Sequence, residues 1–558
     1  MRGECGRCGD RVDRCAFRRS TGRGQPHRPC DRHARSLAPA VPRARMDRSL
    51  CLGADSPAGR RRGEFDSGSG ARAPLTRAAV VDLGSAASTA LRFNHLGARA
   101  QRRAAPTDFR PAARREVRLA SIADRLVTLP AAPAVVPARR YAPWDALLVC
   151  VAVYTAAGVG RIHDLFPVLA PLKPALLATV AAIGLLLLQQ NGRRRITLLR
   201  SRITTCLLGL VLWGALAVPF ALTGGLAFHF WLDFARAVAM SLVLAASVRS
   251  ARDLERMSLV YYGVTVVYTA IILSRFQLGS ADDWRLGRLY FYDANDLATL
   301  IVTALPIGLY FALAHRWIAL RVAATVGLLL LVVALIRSGS RGGFLAFLAV
   351  AAFILVGFTT ISARARIGGL VVILTVLGAT ASDRYWTQMQ TIIRPHQDYN
   401  LTDETGRVKI WKRGIGYMLD HPAFGVGMGN FQTAEGTISP MARRRESGRG
   451  VRWGAAHNTF VQIGAELGIP GLLLLLGLVL SAFATLRRVT RWAARAGPGA
   501  KDLSRLAQSL MAALVGFLVG GFFLSLAYAD MLYALVALSL ALAKIVRMQV
   551  AAATRAVP

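Results

Sequence analysis

Seven side chains of the types that acid–base and phosphate chemistry need stand out in this 558-residue sequence: Arg275, Arg285, Arg288, Arg337 and Arg341 at or near the edges of apolar runs, Arg407 in the long polar stretch 382–455, and His457 where the next apolar run begins. A guanidinium stays charged and offers a planar fork to phosphate oxygens, so fixed arginines can offset charge that develops on a diphosphate leaving group. An imidazole titrates near neutrality and can take the proton from an attacking hydroxyl. Each has an ordinary alternative. Arginine at the edge of a membrane span commonly snorkels to lipid headgroups, and a lone histidine there can be an interfacial hydrogen-bonding group.

What is missing narrows the chemistry. No P-loop is present, and the alternation Gly425, Gly427, Gly429 lacks the preceding strand and following helix of a phosphate-cradling fingerprint. No His, Asp and Glu set stands at metal-ligand spacing. No cofactor is expected. A reaction run by these residues needs a donor that arrives already activated, and a sugar carried on a polyprenyl diphosphate fits that requirement.

The elements that must position these groups are apolar. Of the residues, 54% are hydrophobic, more than a water-soluble chain of this size readily hides. Apolar runs near the length of a hydrocarbon core recur at 145–160, 174–190, 203–222, 229–248, 256–274, 295–314, 317–336, 342–358, 366–381, 456–485, 506–526 and 529–547. The expected fold is all-α, with about twelve transmembrane helices, the first and ninth of them short. Arginines after the second, fourth, sixth, eighth and tenth runs, among them Arg193, Arg249, Arg316, Arg364 and Arg487, place those loops and both termini in the cytoplasm. A bacterial inner-membrane, multi-pass location follows. The stretch 382–455 is then a large periplasmic loop, too long for a connector.

Within that loop Thr402 or Asp403 is expected to cap a helix with an apolar stripe of Val408, Trp411, Ile415 and Met418, ending at Pro422. The basic run Arg443, Arg444, Arg445, Arg449 and Arg452 reads as a solvated or headgroup-binding face. Asp233 and Arg236, inside the fourth run, read as a structural ion pair.

The expected organisation is 1–140 as an Arg-rich extension, 141–381 as spans one to nine, 382–455 as the loop, and 456–558 as the last three spans with a cytoplasmic tail. The extension holds 29 arginines and no lysine against 12 acidic residues, a net +17 of the chain's +38. It shows neither helical nor strand periodicity, so disorder is expected there, or a true start further along, at Met46 or later. Nucleic acid is not an expected partner, because much of the remaining charge sits in short membrane loops. Cys5, Cys8, Cys15, Cys30 and Cys51 lie in the extension; one Cys-x-x-Cys pair without a second does not make a convincing zinc site. Cys150 and Cys206 read as small apolar groups within spans. Met1 is followed by charge and glycine, with no signal-peptide core.

Three passages together resemble the O-antigen ligase and polymerase superfamily. His457-Asn458-Thr459-Phe460 with Glu466-Leu467-Gly468 and Pro470-Gly471 is similar to the family's His-Asn-x-aromatic and Glu-x-Gly-x-x-Gly signature. Arg407 and Trp411, then His421-Pro422, Gly425-Val426-Gly427 and Asn430-Phe431, resemble its loop-helix motif. Ser340-Arg341-Gly342-Gly343 is the third, and Arg288 before Asp293-Ala294-Asn295 and Pro306 a weaker echo. The resemblance covers roughly residues 285–485. It implies a metal-independent, inverting membrane glycosyltransferase acting on an undecaprenyl-diphosphate-linked glycan, with His457 as base and Arg288, Arg341 and Arg407 binding the diphosphate. The implied acceptor is lipid A-core, for a ligase, or a second lipid-linked glycan, for a polymerase, with membrane lipids and polysaccharide-assembly proteins as further partners. A protein O-oligosaccharyltransferase shares the signature. A flippase or a non-catalytic assembly partner is the reading from another class.

Overall fold

The computed structural model describes residues 143–189, 196–275, 286, 292–394, 406–444 and 453–555. Arg285, Arg288, Thr402, Asp403, Arg445, Arg449, Arg452 and the five cysteines before residue 52 lie outside the described residues, so the expectations attached to them go no further here.

Every regular element among the described residues is helical. Each of the twelve expected apolar runs coincides with a helix: α1 Ala146–Gly158, α2 Pro174–Leu188, α3 Arg202–Ala217, α4 Gly224–Ser247, α5 Ala251–Arg275, α6 Ala294–Ala314, α7 Ile318–Ser338, α8 Arg341–Gly357, α9 Ala363–Thr380, and, after the large loop, α14 Thr459–Ala496, α15 Lys501–Gly521 and α16 Asp530–Arg555. Among the described residues nine of these are long and apolar enough to cross a membrane, namely α3–α7, α9 and α14–α16. The other three, α1, α2 and α8, have 13, 15 and 17 residues. The first run is short as expected. The ninth is not, and the second and eighth fall short instead. α8 follows α7 directly: Gly339 ends α7 in the left-handed region (φ 57°), and the Ser340 hydroxyl caps α8 at once by accepting from Gly343 N at 3.1 Å.

The bundle is built around α6, α15 and α16, whose residues are largely enclosed. By contrast α9 has no buried residue. A lysine inside the bundle would be costly without partners. Lys544 of α16 is 2% exposed and donates to Ala245 O at 2.6 Å and Ala246 O at 2.9 Å. Those carbonyls belong to the last turn of α4, where helix donors run out, so a buried ammonium and two orphan acceptors satisfy each other.

The end of the bundle where α4 meets α5 is fastened by charge. Arg249 pairs with Asp145 at 2.7 Å and Asp253 at 2.8 Å, and Arg256 reaches Asp253 at 3.0 Å. The Asp253 hydrogen bonds, before all else, raise the pKa of Arg249. Arg256 also lies 5.4 Å from the centre of the Trp144 ring.

Among the described residues between α9 and α14 lie four short helices: α10 Asp383–Gln390, α11 Arg407–Asp420, α12 Phe431–Thr437 and α13 Pro440–Arg444. The expected loop helix is α11, and it stops before Pro422 as read. Two details differ. It begins at Arg407 behind Gly406, with no side-chain cap, and its fully buried positions are Ile410, Gly414 and Tyr417, while Ile415 of the expected stripe is 44% exposed. The buried face is set by a partner that periodicity cannot show, the small core of Ile410, Tyr417, Val426, Phe431, Ala434, Ala456 and Ala465.

Candidate functional site

The site is organised by a break in α14. Pro470 has no N–H to give the carbonyl four residues back, that of Glu466, and the chain leaves helical geometry at Gly468 (φ 68°, ψ −169°). Freed carbonyls at membrane depth need other donors. The glycine turn after α11 supplies them: Val426 N donates to Ala465 O at 2.8 Å and Gly427 N to Glu466 O at 3.0 Å. The indole N–H of Trp213 donates to Leu467 O at 3.0 Å. In return, Ile469 N donates to Pro422 O at 2.9 Å.

Two glycines make this backbone docking possible. Gly425 has φ +67°, and a Cβ there would run into the backbone of Glu466 and the carbonyl of Ala465. Gly468 has φ +68°, and its Cβ would lie 2.5 Å from the carbonyl oxygens of Pro422 and Ala423. The family-like alternation Gly425, Gly427, Gly429 is thus a surface that lies against a broken helix, which accords with its lack of a phosphate-cradling context.

Glu466 is the residue the chemistry-first reading underused. It is 2% exposed and its Oε1 accepts from Phe431 N, at the start of α12, at 3.3 Å. Tyr528 lies beside it, and burial together with that carboxyl pushes the Tyr528 phenol far above its ordinary pKa. A single buried carboxylate therefore connects the broken helix, the loop helices and the α15–α16 connection. Its place in the Glu-x-Gly motif was visible in the sequence; its partners were not.

The α15–α16 connection, 522–529, is where the elements that carry candidate residues meet. His457 N donates to Ser525 Oγ at 2.8 Å. The Thr459 hydroxyl donates to Leu524 O at 2.9 Å and accepts from Leu526 N at 3.2 Å. Gln462 Oε1 accepts from Ala527 N at 3.2 Å. The Trp411 ring meets Phe522 edge-on at 5.3 Å, and a Cβ on Gly342 would sit 3.2 Å from Phe523. Arg407 is one helical turn before Trp411 and so shares its face of α11, while Arg341 is the residue before Gly342. Three elements carrying Arg341, Arg407 and His457 thus abut one eight-residue connection. Arg337 closes the end of α7, and its carbonyl accepts from Leu286 N at 3.0 Å.

The histidine itself is held in an uncommon conformation. His457 has φ +47°, a left-handed geometry that is rare for a residue with a side chain and persists only where its surroundings impose it. Asn458 imposes it from one side, as the cap whose Oδ1 accepts from Phe460 N at 2.9 Å and Val461 N at 3.0 Å. Ser525 holds it from the other. Arg341 Nη1 donates to Thr391 Oγ1 at 2.7 Å, which ties it to the residue just after α10.

A second arginine of α11, absent from the expected site, is structural. Arg413 makes a two-pronged ion pair with Glu435 of α12, at 2.9 Å through Nε and 2.6 Å through Nη2. Tyr417 O–H donates to the same carboxylate at 2.8 Å. Burial and then that carboxylate push the Tyr417 phenol well above its ordinary range. The pair fixes α12 against α11, and so fixes the face that carries Arg407.

No curated protein matches the chain. A family model described as O-antigen ligase matches residues 324–476, a stretch that contains Arg341, Arg407, His457, the glycine turn and the break at Gly468. That match supports the resemblance to the O-antigen ligase superfamily that the sequence motifs carry.

Proposed function

We propose that this protein transfers a lipid-diphosphate-linked glycan to an acceptor hydroxyl at the outer face of the bacterial inner membrane, as an O-antigen ligase or surface polysaccharide polymerase. The observation that supports the proposal is that three elements inside the family match, those bearing Arg341, Arg407 and His457, each meet the 522–529 connection, through Gly342, Trp411 and the His457 backbone. The cytoplasmic termini and outward-facing site rest on the arginine-rich alternate loops of the sequence.

In this mechanism the arginine forks hold the diphosphate and take up the charge it gains as the anomeric C–O bond breaks. His457 removes the proton from the acceptor hydroxyl, whose oxygen attacks the anomeric carbon from the opposite face, so the configuration inverts. The products are the glycosylated acceptor and the free lipid diphosphate, and no metal ion is required. Arg288 joins the diphosphate site in this reading.

The test is reconstitution of the purified protein with an undecaprenyl-diphosphate glycan and, in separate reactions, lipid A-core or a second lipid-linked unit. Transfer to one acceptor is expected, lost in His457→Ala and largely lost in Arg407→Lys, because a point charge does not reproduce the fork. Wild-type rates in both variants, with protein still inserted, would refute the assignment.

A further inference from the structure

We propose that the end of α14 remote from His457 binds an anionic phospholipid, whose phosphate meets Arg487, Arg488 and Arg491 while an acyl chain lies along the leucines that precede them. The proposal is independent of the transfer reading. After the break at Gly468, α14 continues to Ala496, about 42 Å of helix against a hydrocarbon core about 30 Å thick. Its last turns therefore stand at the headgroups, on the face that the arginine-rich loops assign to the cytoplasm. Leu473, Leu476, Leu480, Ala484, Arg487 and Arg491 recur at three- and four-residue spacing, and all are exposed. They form one stripe, apolar along the membrane and cationic at its edge. A cavity of about 520 Å³ lies where the two stretches join, lined by Leu480, Phe483 and Ala484 on the apolar side and by Arg487, Arg488 and Arg491 beyond them.

The segments that build this end supply no acid to offset the arginines. No Asp or Glu occurs in 467–501 or in 531–558, and the next acid, Asp502, is paired with Arg505 at 3.1 Å. Arg547 of α16 is an electrostatic neighbour of Arg488, and its guanidinium donates to Arg200 O at 2.9 Å. A second helix and the loop before α3 thus bring further positive charge to the same place. Like charges gathered in this way repel unless an anion lies among them. Arg488 is also held in place, donating to Ala484 O and to Thr485 Oγ1, both at 3.2 Å, so less freedom is lost when a ligand arrives. The stripe selects that ligand. A soluble anion would use the arginines and leave the leucines uncovered; a zwitterionic lipid would cover the leucines but bring an ammonium with no carboxylate to meet. An anionic phospholipid presents acyl chain and phosphate in the order in which α14 presents Leu480 and Arg487, about 10 Å apart along its axis.

The experiment measures binding of phosphatidylglycerol to the purified full-length protein in uncharged detergent by native mass spectrometry, with phosphatidylcholine as the zwitterionic lipid and inorganic phosphate as a competitor. Phosphatidylglycerol should bind on the order of tenfold more tightly than phosphatidylcholine, and phosphate should not displace it. Each arginine beside an anionic lipid contributes about fivefold in affinity, so Arg487→Gln with Arg491→Gln should weaken phosphatidylglycerol roughly thirtyfold and leave phosphatidylcholine unchanged. Both side chains are exposed, so the fold does not depend on them. Arg316→Gln with Arg364→Gln removes the same charge from loops on the same membrane face, outside the cavity, and should alter binding by less than about twofold. Equal loss in the two double variants, a general attraction of lipid to positive charge, overturns the site. So does equal binding of the two lipids, or displacement by phosphate, the mark of a soluble-anion site. None of these measurements reads glycan transfer, so a failure here leaves the transfer reading untouched, and a failure of that reading leaves the lipid site untouched.

Discussion

The two ends of the helix bundle are fastened by different means. Where α4 meets α5, side-chain charge does the fastening: Arg249 joins Asp145 and Asp253, and Arg256 shares Asp253. Where α11 and α14 meet, backbone does it, with the N–H groups of Val426 and Gly427 and the carbonyl of Pro422 laid against the break at Gly468. A knot of charges has several contributors, and losing one leaves others. A backbone interface depends on two surfaces without side chains, so its tolerance for a single Cβ is small. The candidate site hangs on the second kind of joint. In the proposed reaction, a few ångströms there decide whether Arg407 and His457 share a substrate.

The strongest way to break that contrast is to put a side chain into the backbone joint. Gly425→Ala or Gly468→Ala combines a left-handed backbone with a Cβ driven into carbonyls, each effect costing on the order of 1–3 kcal/mol. Displacement of the turn by about 1 Å is enough for roughly a hundredfold loss of rate. Either variant should therefore transfer glycan about a hundredfold more slowly in reconstituted membranes, with the helix content unchanged. Near-normal transfer by both would mean that the joint does not position the site.

The Arg413–Glu435 pair tests the same joint from the side of charge. Glu435 is 3% exposed, and removal of one member strands the other, at a cost of about 3–5 kcal/mol. Glu435→Ala should lower the thermal midpoint of the purified protein, and Arg413→Met with Glu435→Leu should recover most of the loss. A double variant as unstable as the single would show that the ion pair itself, and not its apolar neighbourhood, holds α12.

Much of this architecture was legible because lipid demands long apolar runs. All twelve runs found their helices, and the end of α11 before Pro422 could be read from one residue. The start of α11 could not, because Gly406 carries no capping side chain to signal it. Its packed stripe could be read only in part: Trp411 meets Phe522 and Met418 lies against Gly464 of α14, but Ile415 is exposed and the buried face is Ile410, Gly414 and Tyr417. Of the site, the motif residues were visible as types. The meeting of their elements was not, since the 522–529 connection that three of them touch lies outside the family match and shows only as a short gap between two apolar runs. Arg413 and Glu435 are 22 positions apart and carry no local sign of pairing.

The smallest expected effect sharpens the contrast at the opposite end. Arg249 is partly exposed, and Asp253, which is fully buried, keeps Arg256 when Arg249 is lost. Arg249→Ala therefore removes hydrogen bonds to charged groups worth about 1.5–3 kcal/mol each before compensation, and the α4–α5 turn should loosen from the start of α1 without disturbing the break in α14. A modest drop in thermal midpoint, with the transfer rate per folded molecule within about twofold of wild type, is the expected result, because a distant site shares no partner with this knot. A rate loss comparable with that of Gly425→Ala would join the two ends mechanically. The most direct route for such coupling is α4, which meets the knot at its last turn, carries Asp233 and Arg236 further along, and packs through Phe234 on Tyr528.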